Sequence, residues 1–308
     1  MRQLLFIVCL LAVWAVDSCS QQKDFPILKG AYLGQKVPGN TPEMFAPGVV
    51  STASYEFSCS FSPNGNEFYF TRRDPTLNEN VIMATKLHEG IWTKPEIAPF
   101  VESQSSFEPM VTPDGKRLYF SSGKTILGQA GPPKNILFVE REGDGWSMPK
   151  NPGPPFNPAQ TMYISSTTNG TIYTTDISAG PGKECLAVLH KIDGEYSKPE
   201  RLGSPINGEV QRLYPFIAPD ENYLVFASRV PTKGFESGLF VSELLVAFRG
   251  PDGSWSKPQP INLGMDAGAP YVTPDGKYLF FTSGHRGKSD IYWVSAKVIE
   301  DLRLKNKK

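Results

Sequence analysis

The chain has 308 residues, and its 31 Lys and Arg residues balance its 31 Asp and Glu residues, so the formal net charge is zero. A nucleic-acid-binding surface needs a basic patch. The sequence has no basic run apart from the tail at 305–308, so we expect no nucleic-acid partner. The length is sufficient to bury a substantial hydrophobic core within one domain.

The N-terminal residues are typical of a secretory leader. After a positive start, residues 4–16 form an almost unbroken apolar stretch that is too short for a comfortable membrane span. The residues before and after Cys19 resemble the lipobox of a bacterial lipoprotein, although Asp17 is unusual in that motif. We predict a signal peptide over 1–18, a tether over 19–26 and lipidation of Cys19. Plain secretion without a lipid is the alternative.

The rest of the chain repeats one phrase five times. In its clearest copies, at 111–121 and 272–282, Thr-Pro-Asp-Gly-Lys separates two runs of apolar and aromatic residues. Asp-Gly and Asn-Gly adopt tight turns, and the flanking residues suit strands, so each copy predicts a β-hairpin. Successive copies lie 50, 55, 51 and 55 residues apart, counted from the anchor positions Pro63, Pro113, Thr168, Pro219 and Pro274. A repeat of this period predicts a repeat architecture.

A third apolar strand and an aromatic segment follow each of the first four hairpins. The aromatic segments lie at 91–95, 145–149, 195–199 and 254–258, and each ends in Pro. Pro is suited to an edge strand because it has no N–H to donate, so we predict that this segment is the outermost strand of a four-stranded unit. Such units arranged around an axis form a β-propeller.

The fifth unit lacks its own aromatic segment, and the N-terminal region supplies a replacement. Residues 41–49 resemble residues 94–101 of the first unit. The sequence therefore predicts an all-β fold, a five-bladed β-propeller of four-stranded antiparallel blades whose ring is closed by an N-terminal strand. We assign residues 27–308 to this single domain, with a short C-terminal tail.

The phrase Thr-Pro-Asp-Gly-Lys-x-Leu-Tyr-Phe-Ser resembles the PD40 repeat, a WD40-like repeat of the TolB type. The opening at 31–48 is similar to the start of PD40 lipoproteins of Bacteroidota. The resemblance implies an exported protein of the periplasm, the outer membrane or the cell surface. It implies no single activity, since relatives include periplasmic binding partners, domains attached to peptidases, and polysaccharide lyases. Function must therefore be argued from the site.

Ligands of propellers usually meet the face that carries the loops into the innermost strands and the loops after the second strands. We call this the channel face. Polar residues at these positions are candidates for ligand binding, because Arg binds carboxylate, sulfate or phosphate and Tyr stacks on sugars or receives a peptide. The candidates are Glu56, Arg72, Arg73, Glu108, Tyr163, Asp176, Arg212, Tyr214, Arg229, His285 and Arg286, with Lys124 in the same group of loops. The alternative is that they are ordinary solvated loop residues.

Other chemistries have less support in the sequence. The chain has three histidines, which disfavours a catalytic metal site with three His ligands. We predict no metal and no cofactor. Cys59 and Cys185 fall on non-adjacent blades, so we expect no disulfide between them. His285 could serve as a general base, and Glu56, Glu108 and Asp176 could supply carboxylates for glycoside hydrolysis. The tryptophans of the aromatic segments recur with the structural period, so we interpret them as packing residues.

These observations favour a monomeric, non-catalytic protein that binds a cell-envelope protein or glycan at its channel face. It would meet a membrane only through a lipid anchor. One alternative is a carbohydrate-active enzyme, a polysaccharide lyase or glycoside hydrolase, with its site on the same face. The other alternative is a purely structural module. A compact pair of carboxylates would favour the enzyme, and a channel plugged by apolar side chains would favour the structural module.

Overall fold

The repeated phrase forms the hairpin between the first two strands of each blade. A computed structural model describes residues 25–101, 105–123, 135–157, 160–231, 240–285 and 288–306. The predicted leader, most of the tether and Cys19 lie outside these residues. No helix within the described ranges has the length and apolar character that a membrane crossing requires.

The strands of the described residues form five antiparallel blades and one separate two-stranded ribbon, and each blade is ordered from the centre of the ring outward. The chain begins with a short 3-10 turn, Tyr32–Gly34, and β1 (Glu43–Met44), and it ends with α1 (Lys297–Asn306). Blade 1 contains β2 (Glu56–Phe61), β3 (Glu67–Asp74), β4 (Glu79–His88), β5 (Ile91–Trp92) and β6 (Glu96–Ile97), and blade 2 contains β7 (Ser106–Val111), β8 (Arg117–Ser122), β9 (Asn135–Glu142) and β10 (Gly145–Trp146). Blade 3 contains β11 (Thr161–Ser166), β12 (Ile172–Asp176), β13 (Cys185–Leu189), the ribbon β14 (Lys191–Ile192) with β15 (Glu195–Tyr196), and β16 (Glu200–Arg201). Blade 4 contains β17 (Gln211–Ile217), β18 (Tyr223–Pro231), β19 (Phe240–Phe248) and β20 (Gln259–Pro260), and blade 5 contains β21 (Gly268–Val272), β22 (Tyr278–His285) and β23 (Lys288–Ser295). The predicted five-bladed, four-stranded propeller is confirmed.

Side-chain hydrogen bonds explain which residue types occur in the repeated phrase. In blade 2 the Thr112 hydroxyl donates to Asp114 Oδ1 at 2.6 Å and accepts from the Arg117 amide at 3.1 Å. Asp114 Oδ1 also accepts from the Lys116 amide at 3.0 Å. Gly115 completes the turn at φ 69°, a conformation that glycine adopts without a Cβ clash. The phrase is therefore a self-contained turn that needs no help from other blades.

Hydrophobic side chains fill the spaces between neighbouring blades. The described residues form five such clusters, one for each pair of adjacent blades. The aromatic segments contribute to these clusters at their outer ends, as when Trp146 Nε1 of blade 2 donates to Tyr69 Oη of blade 1 at 2.7 Å. The tryptophans therefore hold adjacent blades together, as the sequence period indicated.

The N-terminal strand completes blade 5. β1 pairs antiparallel with β23, so that Glu43 lies opposite Trp293. The Phe45 amide donates to the Ile291 carbonyl at 2.8 Å, and the matching Ala98 amide of blade 1 donates to the Ile82 carbonyl at the same distance. The resemblance of 41–49 to 94–101 therefore reflects one structural role, and the predicted ring closure is confirmed.

The outer edge of the blades differs in detail from our prediction. In blade 1 the aromatic segment supplies only the short β5, which pairs with the end of β4. The chain leaves the ladder at Pro95, because Pro has no N–H to donate, and it pairs again as β6 against the middle of β4. The outermost strand is thus split in two at the Pro, whereas we predicted one continuous strand.

A bulge interrupts the innermost strand of every blade at the same place. Its residues are not glycine, yet all have the left-handed backbone conformation with φ between 46° and 60°. They are Ser58, Glu108, Tyr163, Tyr214 and Ala269. The bulge turns a backbone amide toward the preceding blade, so that the Glu108 amide donates to Thr71 Oγ1 at 2.9 Å. These residues form a ring at the centre of the molecule, and we call it the bulge ring.

Candidate functional site

Two cavities flank the bulge ring, one on each face of the propeller. The first lies on the channel face between blades 1, 4 and 5 and has a volume of about 640 Å³. The second lies on the opposite face, is lined by residues of all five blades, and measures about 340 Å³. We call them the channel-face cavity and the proline-ring cavity.

Aromatic side chains form one wall of the channel-face cavity. Tyr55 and Phe57 come from the start of the first innermost strand, and their rings meet edge to face with centroids 5.6 Å apart. Tyr214 of blade 4 lines the same cavity. All three are half-buried, so each exposes part of a ring to the cavity.

Three cationic side chains face the same space. Arg73 is exposed and binds Asn78 Oδ1 through Nε and Nη2, and the exposed Lys288 lies 3.8 Å from the Asp290 carboxylate. Arg229 is half-buried and forms no ion pair with any carboxylate of the described residues. Asp266 is the acidic residue among the lining side chains, and its Oδ1 accepts from the Ser242 amide at 2.6 Å. The lining therefore carries an excess of positive charge.

The proline-ring cavity has a different character. Four of the five anchor positions of the repeat, Pro63, Pro113, Pro219 and Pro274, stand around it, and Thr168 occupies the fifth. Apolar side chains of the innermost strands form its walls. Because the repeat itself supplies these residues, the cavity is a consequence of how the ring is built.

Two tyrosines of the bulge ring lie between the cavities. Tyr163 lines the proline-ring cavity and Tyr214 the channel-face cavity, and their rings meet edge to face with centroids 5.2 Å apart. Tyr163 Oη donates across the ring to the Pro270 carbonyl at 2.9 Å. Burial, reinforced by the Glu108 carboxylate, raises the pKa of Tyr214 to about 12, so its hydroxyl is protonated at neutral pH. The channel is thus divided by amphipathic side chains, which differ from the apolar plug that would favour a structural module.

Several predicted site residues hold the fold together. The buried Glu56 accepts from Arg72 Nε at 2.8 Å and from Thr52 Oγ1 at 2.6 Å. Arg72 also donates through Nη2 to the carbonyls of Val49 and Val50, both at 3.0 Å. This pair therefore ties the N-terminal segment to blade 1 and lies outside the cavity lining.

Asp176 and Arg212 are also engaged away from the cavity. Asp176 accepts from Arg201 Nε at 2.7 Å. Burial would raise the pKa of Asp176, but bonds from Ser178 and from the Arg201 guanidinium outweigh it and hold the pKa below its usual range. Arg212 donates to Ser228 Oγ and to the Ile206 carbonyl, and burial lowers the pKa of its guanidinium.

Glu108 faces the opposite cavity from the one we predicted. Its carboxylate accepts from Ser121 Oγ at 2.8 Å, and the residue lines the proline-ring cavity with Tyr163. His285 ends β22, where its backbone pairs with Lys288. The side chain of His285, like Arg286 and Lys124, lies outside what the structure describes.

The structure therefore brings together Arg73, Tyr214 and Arg229 of the predicted set. Sequence reasoning missed Tyr55, Phe57, Asp266 and Lys288. A signal for the first two exists, since successive side chains of a strand point to opposite faces. Glu56 is buried, and its two neighbours face the cavity. Asp266 lies in the loop before β21 and Lys288 is the first residue of β23, and nothing in the repeat distinguishes them.

No three His, Cys, Asp or Glu side chains in the described ranges come together as a possible metal site. The candidate site is therefore defined by its arginines, its lysine and its aromatic rings.

Comparison with known proteins supports the fold. No protein-family model matches the chain, and no curated protein matches it. TolB from Acinetobacter baumannii has 14% identity and a TM-score of 0.50, covering 81% of this chain and 54% of that one. The endo-arabinase from Bacteroides thetaiotaomicron has 12% identity and a TM-score of 0.51 over 84% and 96% of the two chains. The GH43 protein BlXynB from Bacillus licheniformis has 12% identity and a TM-score of 0.50 over 83% and 57%.

The chain spans about half the length of the A. baumannii TolB. Identities this low establish the fold alone, which TolB and glycoside hydrolase propellers share. The predicted likeness to TolB is confirmed at the level of the fold, and the resemblance to lipoproteins of Bacteroidota stays a prediction.

Proposed function

We propose that the chain is an exported, non-catalytic binding protein whose ligand, a glycan or protein segment of the cell envelope, occupies the channel-face cavity. The observation that carries this proposal is the lining of that cavity. Its arginines, lysine and aromatic rings come from positions that the blades do not share, whereas the proline-ring cavity is lined by the repeated positions. Side chains that are not needed to build the blades are available to bind a ligand.

The acidic residues support binding over hydrolysis. Glycoside hydrolysis uses two carboxylates that flank the scissile bond. Glu56 and Asp176 are held in ion pairs, Glu108 lines the proline-ring cavity, and none of the three lines the channel-face cavity. The alternative, a carbohydrate-active enzyme with its site in the same cavity, has the fold likeness to GH43 propellers in its favour.

A binding assay with one cavity variant tests the proposal. Wild type and Arg229→Ala are applied to a glycan array and to a pull-down from cell envelopes, with Lys257→Ala as the control. Lys257 is exposed and lies outside the cavity lining. We expect Arg229→Ala to lose ligand and Lys257→Ala to retain it. Equal retention by both variants would show that the cavity is not the site.

A second assay separates binding from catalysis. The purified protein is incubated with the bound glycan, and new reducing ends and unsaturated products are measured over a day. We expect the ligand to be recovered intact. Cleavage that Arg229→Ala abolishes would replace the binding proposal by the enzyme alternative.

Export and lipidation are tested separately from ligand binding. We propose that the mature chain begins at Cys19 and carries acyl chains there. Mass spectrometry of the mature N-terminus would show the added lipid mass. An unmodified N-terminus would leave the protein secreted without an anchor, and the binding proposal would be unaffected.

A further inference from the structure

We infer that the ligand of the channel-face cavity is an anionic glycan, whose acidic groups are bound by Arg229, Arg73 and Lys288. This inference rests on the proposed function and names the class of ligand. The shared chemistry is a carboxylate or sulfate on a sugar ring.

The balance of charge favours an acidic ligand. Three cations and one carboxylate line the cavity, and a second carboxylate, that of Asp290, lies 3.8 Å from the Lys288 ammonium. The carboxylate of Asp266 is oriented by the Ser242 amide, so one of its oxygens is already occupied. A partly enclosed site screens charge less than open water does. A neutral ligand would leave this excess uncompensated, whereas an anion would neutralise it.

Arg229 is the cation of this cavity best placed to bind an acidic group. It stands half-buried in the wall, pairs with no carboxylate of the described residues, and lies close enough to Tyr214 for its charge to oppose the rise in that tyrosine's pKa. A guanidinium presents a rigid fork of donors that matches two oxygens of a carboxylate or sulfate. Arg73 and Lys288 stand nearer solvent and would meet further acidic groups along the chain of sugars.

The aromatic rings favour a sugar over an acidic peptide. Tyr55 and Phe57 present adjoining ring surfaces beside the cations. A pyranose ring has an apolar face of C–H groups and carries its acidic group at the ring edge, so one sugar unit can lie on an aromatic ring while its acid reaches an arginine. Pockets that combine apolar walls with a few placed polar groups fix a ligand's orientation in this way.

The experiment measures binding of three probes by isothermal titration calorimetry. Tetragalacturonate carries carboxylates alone, a heparin tetrasaccharide adds sulfates, and galactotetraose is neutral. We expect at least one acidic probe to bind at least tenfold more tightly than the neutral one, and to weaken when the salt is raised from 50 to 500 mM. The acidic probe that binds identifies whether carboxylate or sulfate is the preferred group.

Variants of the full chain connect that binding to the cavity. Arg229→Gln removes the charge but retains hydrogen-bonding capacity, and we expect it to weaken the acidic probe about tenfold, in the range for a charge-assisted hydrogen bond. Lys257→Gln, the control outside the cavity lining, should bind as wild type does. Circular dichroism confirms that each variant is folded.

The outcomes separate this inference from the proposed function. Equal or tighter binding of neutral sugars, or acidic binding that Arg229→Gln leaves unchanged, overturns the anionic-glycan inference. Capture of an acidic peptide at the cavity with no glycan bound also overturns it, and the binding function stands. Absence of any ligand for the cavity in the array and the envelope pull-down overturns both.

Discussion

At the scale of single residues, the bulge ring is the most unusual feature of the backbone. The left-handed conformation brings Cβ of an L-residue too close to its carbonyl oxygen, at a cost of about 1–2 kcal/mol per residue. Five non-glycine residues accept this cost at one structural position. In return, amides such as those of Ser58 and Tyr214 reach threonine hydroxyls of the preceding blade, each at 3.0 Å. Local strain is therefore exchanged for bonds between blades.

The cost can be measured at Ala269, where φ is 46°. Glycine there relieves the strain, while Ala227→Gly in the interior of β18 has only the losses of a buried methyl group and of backbone order. We expect Ala269→Gly to be more stable than Ala227→Gly by about 1 kcal/mol. Urea unfolding of both variants provides the comparison. Equal losses would show that the bulge ring carries no strain.

The carboxylate of Glu67, at the start of β3, predicts a dependence on pH. Burial would raise the pKa of Glu67, but the hydrogen bonds and charges of Arg141 and Lys86 hold it below its usual range. Because the pKa is lower in the folded state, the stabilisation is present above the unfolded pKa of about 4.3 and is lost as the pH falls through the folded value. Glu67→Gln should therefore be less stable than wild type at pH 7, and this difference should shrink below pH 4.

Urea unfolding at pH 7 and at pH 3.5 tests this expectation. The exposed Glu209 offers a matched control, since Glu209→Gln removes a carboxylate that forms no ion pair among the described residues. The control should follow wild type at both values of pH. A gap between Glu67→Gln and wild type that stays constant across this range would contradict the assignment.

At the scale of elements, the N-terminal strand does more than extend a sheet. Phe45 follows β1, is fully buried, and has ring contacts with Phe61, Phe68, Phe280 and Trp293. Two of these belong to blade 1 and two to blade 5. One side chain of the closing segment therefore fills the core between the last and the first blade.

Truncation of that side chain should be costly. We expect Phe45→Ala to destabilise the protein by about 3–5 kcal/mol, the usual range for a large aromatic removed from a core. Met44→Ala, at the adjacent half-buried position of β1, should cost less. The free energy of unfolding in urea distinguishes them. Similar small losses for both would mean that the segment contributes only its backbone hydrogen bonds.

The elements also show how far the sequence alone can lead. Spacing and turn residues were sufficient for the blades and the ring, because the repeated phrase is a local structure whose hydrogen bonds lie within a few residues of each other. The closure of the ring was predicted from a second signal, the resemblance of residues 41–49 to residues 94–101. The site was predicted less well. The sequence cannot show that Arg72 turns to Glu56 while Arg73 faces the cavity, because that choice depends on the neighbouring strands and on Val49 and Val50.

At the scale of the whole molecule, the closing segment should behave as a separable part. A chain that begins at residue 52 loses β1 and Phe45, and we expect it to unfold at a lower urea concentration than the full chain. A peptide of residues 25–51 added in trans should restore much of that stability, because ligands of the folded state alone stabilise it by mass action.

Tryptophan fluorescence offers the measurement, since Trp92 and Trp293 contact this segment. The same peptide with Phe45→Ala is the matched control and should restore less. A truncated chain as stable as the full one would show that the ring is stable without residues 25–51.

The closing segment also determines when the ring can close during biosynthesis. Ser51 and Ile291 are 240 positions apart, yet the serine hydroxyl and the isoleucine backbone bond to each other. A ribosome releases the first partner long before the second exists, so the surfaces of Phe45 and Val50 that pack against blade 5 stay uncovered until that blade is made. Contacts this distant in sequence are associated with slow folding. This N-terminal segment therefore keeps apolar surface available for aggregation until the last strand of blade 5 is synthesised.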